Sequence, residues 1–273
     1  MSNLKGAFRS ISARPGFSSL IVLTLALGIG LNSAVFSIVD GMLFRSMSYK
    51  DSDRLYRILE FSQGAGSGEG PGQLYFGSYQ GFIAFRQGCP SFDQVEAMGS
   101  FFYNITGGKG PESVPGAEVS DGFFNMLGAK AAVGRLFVPE DNKPGAPPVA
   151  VLGQQLWKRR FGGDPGVLGR SIVLNGRVHT IVGVMEPGFF YRVPSELWVP
   201  LTINPTDPPY PPATRYLIVS GHMRPGANLE TAKREAQTVM EQLGQQYPAT
   251  HANWGTVVHT VRDNLLGDMK PAL

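Results

Sequence analysis

Residues 15–39 read PGFSSLIVLTLALGIGLNSAVFSIV, 25 consecutive positions without a charge. As an α-helix rising about 1.5 Å per residue, this stretch spans roughly 37 Å, enough to cross a bilayer core of about 30 Å. A cleaved signal peptide has an apolar region of about 7–15 residues followed by a small-residue cleavage site. Here the apolar character runs on through Val35-Phe36-Ser37-Ile38-Val39 and Met42-Leu43-Phe44. The reading is a retained transmembrane helix over 15–44.

Working outward, Lys5, Arg9 and Arg14 precede the helix, while Arg45, Lys50, Arg54 and Arg57 follow it. By simple count the second group opposes a cytoplasmic N-terminus. It belongs, however, to a segment of more than 200 residues, and long domains are translocated largely regardless of charge. Residues 1–14 are therefore expected inside and everything after about 45 outside. Leu4, Phe8 and Ile11 recur at helical spacing, as in a short amphipathic segment on the inner membrane surface. Ala26, Gly30 and Ala34, four apart, form a stripe that lets another helix approach closely. Asn32, a polar side chain near the helix middle, prefers a protein neighbour to lipid. These four are the candidate membrane-helix packing residues, and they imply partner helices outside this sequence.

Charge excludes one class of partner. With 24 basic and 21 acidic residues the net charge is +3, and no clustered basic face suggests nucleic acid. Lys158-Arg159-Arg160 is the densest basic run and reads as a solvated helix face. Cys89 is the single cysteine, which rules out an internal disulfide or a cysteine-based zinc site.

Beyond Phe44 short elements alternate, and 35 glycines and 21 prolines supply the turns. Arg54–Glu60 reads as a strand and Phe76–Gln87 as a helix, with the glycine-rich stretch 63–73 a flexible loop. Phe92–Thr106 and Glu112–Val119 read as strands. Residues 121–127 form one helical turn with Asp121 near its cap. A buried strand at Val149–Leu152 leads into a helix over Gln154–Phe161. Ser171–Leu174, Asn175-Gly176 and Val178–Val184 form the clearest hairpin, since Asn-Gly supplies the positive φ of a two-residue turn. Tyr216–His222 and Thr256–Val261 are further strands. Leu229–Tyr247 is a long helix carrying Leu229, Ala232, Ala236, Val239 and Leu243 on one face. Sheet and helix at both ends of a β-rich middle imply an α+β domain over 45–262. Its main unit covers about 50–106 plus 213–262, with a β-rich insert over about 107–212.

The residues carry no site for chemistry. His179, His222, His251 and His259 are scattered without metal-ligand spacing, and His179 reads as a surface or half-buried side chain of an alternating strand. Gly66, Gly68 and Gly70 lack the spacing and Lys-Ser/Thr ending of a phosphate loop. No Gly-x-Ser-x-Gly elbow occurs. Glu112 and Glu140-Asp141 fall in Pro- and Gly-rich loops poorly suited to paired acid–base work. No cofactor, metal or catalytic residue is expected.

Arg14-Pro15-Gly16-Phe17 and Leu23-Thr24-Leu25-Ala26-Leu27-Gly28-Ile29-Gly30-Leu31-Asn32 resemble the first membrane helix of MacB-type ABC permeases. Arg45, Tyr49, Asp53, Arg54 and Leu55 fit the exit from that helix. Gly134-Arg135-Leu136-Phe137, Pro139-Glu140-Asp141, residues 156–165 (LWKRRFGGDP), Leu174-Asn175-Gly176 and Val182-Gly183-Val184-Met185 resemble that family's periplasmic core domain. So do Leu197-Trp198-Val199-Pro200-Leu201 and residues 263–268 (DNLLGD). The resemblance covers nearly the whole chain and is strongest to the duplicated orphan permeases of acidobacteria. It implies an inner-membrane permease subunit of efflux or lipoprotein-release type, with the cytoplasmic N-terminus and periplasmic main domain. It further implies a separate ABC ATPase acting in trans, remaining permease helices or a second permease subunit, and a periplasmic adaptor in efflux members. Residues 263–273 fall where such permeases return toward a second membrane helix, so the sequence stops short of that helix. Gly134, Gly162, Gly163, Asn175 and Gly176 suit turns, and Trp157, Phe161 and Trp198 suit packing. The other reading is a stand-alone membrane-anchored envelope binding protein without transport activity.

Overall fold

Strand β4, Phe92–Thr106, is 15 residues long and so extends over about 50 Å. Its first half pairs antiparallel with β11, Arg215–Met223, and its second half with β5, Glu112–Val119. The computed structural model describes residues 16, 23–30, 33, 49–62, 74–108, 110–202, 210–211 and 213–261. Tyr49 to Leu273 belong to one unit and residues 1–48 to another.

On one side of β4 lies an open sheet in the order β12-β1-β11-β4, with β1 at Leu55–Ser62 and β12 at Trp254–Thr260. Two helices cover a face of it: α1, Tyr79–Gly88, and α4, Leu229–Gln246. Helix α4 buries Ala232, Ala236, Val239, Met240 and Leu243, the stripe that its 3.6-residue periodicity demands. These meet Phe82 and Phe85 of α1 and Ile58, Val95, Leu217, Val219 and Val258 of the sheet in one apolar cluster. Burial of this size stabilises by about 25 cal/mol per Å² of apolar surface. A Cβ at Gly88 would sit 2.5 Å from Val239, so the two helices pack at a separation that glycine permits.

On the other side the sheet closes. The remaining strands are β7, Val149–Leu152, β8, Ser171–Leu174, β9, Arg177–Met185, and β10, Leu197–Pro200. Strand β10 runs parallel to β5 and antiparallel to β7, β7 is parallel to β9, and β9 pairs with β8. Strand β8 then returns to β4 through Ile105↔Leu174 and Thr106↔Val173. The result is a six-stranded barrel filled by Tyr103, Ile105, Val114, Ile172, Leu174, Ile181, Leu197 and Val199, since a barrel this narrow leaves room only for side chains. Helix α3, Gln154–Phe161, packs Leu156 on the same cluster. Strand β6, Ala131–Gly134, adds to β9 as an edge. Short strands β2, Leu74–Tyr75, and β3, Gly77–Ser78, extend the open sheet, and helices α2, Phe123–Leu127, and α5, Pro248–His251, complete it.

Local expectations fare well where chemistry is local. Asn175 and Gly176 have φ 49 and 81, the positive pair of a tight hairpin turn. Gly162 caps α3 at φ 69, a left-handed position that costs glycine nothing. Three readings are corrected. Helix α1 begins at Tyr79 rather than Phe76, because Ser78 caps it by accepting from the Gly81 N–H and lies in β3. Asp121 does not cap α2, whose N-cap is Gly122; its carboxylate pairs instead with Arg86 at 2.8 Å. His179 is 8% exposed, drawn inward as the barrel closes over its strand.

Residues 23–30 and 33 are helical, and Leu23, Leu25, Leu27 and Ile29 are exposed. Among the described residues no helix is long and apolar enough to cross a membrane. The rest of 15–44, the segment 1–14, the loop 63–73 and residues 263–273 lie outside the described residues.

Candidate functional site

The first residues of the folded unit are fastened at several points. Tyr49 donates its hydroxyl to the carbonyl oxygen of Phe190, and its ring meets Tyr191 edge-on at 5.4 Å. Burial pushes the Tyr49 hydroxyl well above its usual pKa, so it stays a neutral donor. The Lys50 N–H donates to the Leu127 carbonyl at 3.1 Å. Arg54 reaches the Met223 carbonyl on β11 at 3.2 Å and Asp51 at 2.7 Å. Residues 49–54 therefore touch α2, the 189–191 loop and the open sheet together.

From Tyr191 a run of rings continues inward. Tyr191 contacts Phe123 at 5.3 Å, Phe123 contacts Phe124 at 5.7 Å, and Phe124 contacts Phe189 and Trp198 at 5.8 and 6.0 Å. Most are edge-to-face, the arrangement favoured by the ring quadrupole. The Tyr191 hydroxyl shares a 2.6 Å hydrogen bond with Ser220 of β11. Phe189, Phe190 and Trp198 line a half-open pocket of about 340 Å³ against the N-terminal end of α3. A continuous aromatic contact thus runs from Tyr49 to barrel strand β10.

A second arrangement is a buried polar node. Glu60 of β1 is fully buried and accepts from the Ser78 N–H at 2.7 Å, the Ser78 hydroxyl at 2.8 Å and Arg215 Nε at 2.9 Å. Burial raises the Glu60 pKa, and Arg215 and Ser78 oppose it. Arg215 also donates to the Thr250 carbonyl and lies 3.4 Å over the Trp254 ring. His251 Nε2 stands 3.1 Å from the Ser78 hydroxyl; burial lowers its pKa to about 4, leaving it neutral. Serine, histidine and a carboxylate together suggest a hydrolytic triad, but the roles are misplaced. The acid binds the serine instead of orienting the histidine. All three side chains are buried, and the serine oxygen already caps α1. The node fastens α1 and α5 to the sheet.

The basic triplet is corrected in the same terms. Arg159 bridges Glu112 at 2.6 Å and Glu196 at 2.7 Å. Arg160 clamps the carbonyls of Gly107 and Gly110 and is withdrawn from solvent, whereas Lys158 and the ion-paired Arg159 stay exposed. Glu112 and Asp141 are held by different arginines, Asp141 by Arg135 at 2.6 Å. His222 pairs with Asp93 at 2.9 Å. Among the described residues no group of His, Cys, Asp or Glu could hold a metal. Of the membrane-helix packing residues, Ala26 and Gly30 are exposed helical positions, whereas Asn32 and Ala34 lie outside the described residues. Sequence reasoning missed Glu60, Ser78, Arg215 and His251; a carboxylate inside the apolar run LYRILEFS (55–62) was the available signal.

Residues 18–239 match the family described as MacB-like periplasmic core domain, and the chain belongs to that family. Among curated proteins none matches the chain. The fold is similar to the periplasmic region of MacB from Actinobacillus actinomycetemcomitans, with TM-score 0.58 at 15% identity over 84% of this chain and 98% of that one. It is also similar to the extracellular domain of the noncanonic ABC-type transporter YknZ from Gram-positive bacteria, with TM-score 0.53 at 14% identity over 74% and 99%.

Proposed function

We propose that the chain is the extracytoplasmic coupling part of an ABC transporter permease, of efflux or lipoprotein-release type, in the duplicated orphan permease group. It works with a separate ATPase subunit in trans. Residues 15–44 cross the inner membrane with residues 1–14 cytoplasmic and the domain over 45–262 periplasmic. Ala26, Gly30, Asn32 and Ala34 pack against further permease helices or a second permease subunit. The α+β part, about 50–106 plus 213–262, receives the motion, and the β-rich part, about 107–212, presents it to a periplasmic adaptor.

The observation that carries this reading is the fastening of residues 49–54. A displacement of Tyr49 itself reaches the Phe190 carbonyl, and one of residues 50–54 reaches α2 and β11; β4 then spans both parts as one stiff strand. Close-packed interiors pass on strain rather than absorb it.

The test is co-purification of the tagged full chain from native membranes, with ATP hydrolysis measured on the isolated complex. An ATPase subunit should co-purify, and Tyr49→Ala should change its hydrolysis rate while the complex stays assembled. If no ATP hydrolysis accompanies the chain, the anchored binding protein without transport activity replaces this reading.

A further inference from the structure

One mouth of the barrel is a half-open pocket of about 340 Å³. Tyr103 of β4 and His179 of β9 are buried there, Glu118 of β5 is half-buried, and Arg177 and Lys143 are exposed. Barrel mouths are common ligand sites because strands converge side chains that are distant in sequence. The charges in this one are unevenly matched. Asp141 is already held by two Arg135 nitrogens at 2.6 and 3.0 Å, and Lys143 lies 3.6 Å from Glu140. Among the described residues Arg177 makes no ion pair, and no Lys or Arg neutralises Glu118; its polar neighbour is the Tyr103 hydroxyl.

Aromatic rings gather beside the same carboxylate. Tyr103, Tyr210 and Tyr216 all lie close enough for the Glu118 charge to raise their hydroxyl pKa values, after the larger effect of burial. Tyr210 and Tyr216 are 4.5 Å apart, and Phe101 stacks on Tyr210 at 5.5 Å. The Tyr216 hydroxyl is buried without a hydrogen-bond partner.

We propose that this barrel mouth binds a small zwitterion, its ammonium group against Glu118 and Tyr103 and its carboxylate or phosphate against Arg177 and Lys143. A half-buried carboxylate lacking a cation is costly, and an ammonium removes that cost. The arginine fork suits a carboxylate or phosphate held in two hydrogen bonds. Amino acids, peptide ends and phosphoethanolamine lipid headgroups share this chemistry.

An NMR shift titration of the full chain at low salt, with glycine, phosphoethanolamine, ethylamine and inorganic phosphate, tests the site. At least one zwitterion should bind roughly tenfold tighter than ethylamine or phosphate, the size expected when one charge-assisted contact is added. Glu118→Gln and Arg177→Ala should each weaken it roughly tenfold with the circular dichroism spectrum unchanged. Preference for glycine identifies an amino-acid source; preference for phosphoethanolamine identifies a headgroup. The site is overturned if no zwitterion binds, if ethylamine or phosphate alone binds as tightly, or if Arg177→Ala leaves binding untouched. Arg177 is exposed, so its variant remains informative should Glu118→Gln fail to fold. None of these outcomes depends on an ATPase, which separates this test from that of the coupling role.

Discussion

Tyr49 and Phe190 are 141 residues apart, yet the hydroxyl of the first donates to the carbonyl of the second. Tyr49→Phe removes only that bond and should cost about 0.5–1.5 kcal/mol in urea unfolding. Tyr49→Ala also removes the ring contact with Tyr191, adding on the order of 1 kcal/mol or more. If both variants match the wild type, the fastening does not hold the segment.

Arg215 and Glu60 form a pair with side chains 6% and 0% exposed. Arg215→Met leaves a buried carboxylate uncompensated and should cost about 3–5 kcal/mol, while the double replacement Arg215→Met with Glu60→Leu should cost less than the single. Thermal melts of the wild type, both single variants and the double measure this coupling; additive losses would mean that the pair acts as two independent groups.

Burial pushes Glu118 up to about 7, above its unfolded value, so the folded state holds the proton more tightly. Between about pH 4.5 and 7 Glu118 binds more proton in the native state than in the unfolded one, so its own contribution to stability falls as pH rises, against the opposite slope of His251, which burial lowers to about 4. Glu118→Gln should flatten part of that fall, raising stability at pH 8 by roughly 1–3 kcal/mol, less than the full shift because the group is partly exposed. Glu96, which burial also raises to about 7, keeps the remaining slope. Urea melts across that pH range would refute the assignment if the variant shows an unchanged slope.

Cys89 is 3% exposed, and burial pushes its thiol up to about 12. It should resist thiol reagents until the protein unfolds, whichever side of the membrane it occupies. Lys158→Cys places a thiol on an exposed face instead. In intact cells a reagent that cannot cross the inner membrane should label it; labelling only after lysis would reverse the proposed orientation.

A Cβ at Gly183 would overlap the carbonyl oxygen of Arg135. Backbone cannot yield as a flexible side chain does, so Gly183→Ala should cost about 1–3 kcal/mol or more. Denaturant titration checks it, and a neutral effect would mean that β6 shifts freely away from β9.

The sequence by itself determined the pieces whose causes are local. The Asn175-Gly176 hairpin, the apolar stripe of α4 and the glycine cap of α3 each depend on residues within a few positions of one another. Their chemistry is complete in one window of sequence. The parallel pairing of β5 with β10, the return of β8 to β4, and the Glu60–Arg215 node were decided only by the tertiary structure. So was the meeting of Tyr103, Glu118 and Arg177 at the barrel mouth. Each joins residues that no periodicity relates, because strand register is set by burial on both sides of the sheet at once. A basic triplet reads the same in one dimension whether its side chains are free in water or, as those of Arg159 and Arg160 do, grip carboxylates and carbonyls 37 to 50 residues away. Only closure of the sheet brings those acceptors within reach.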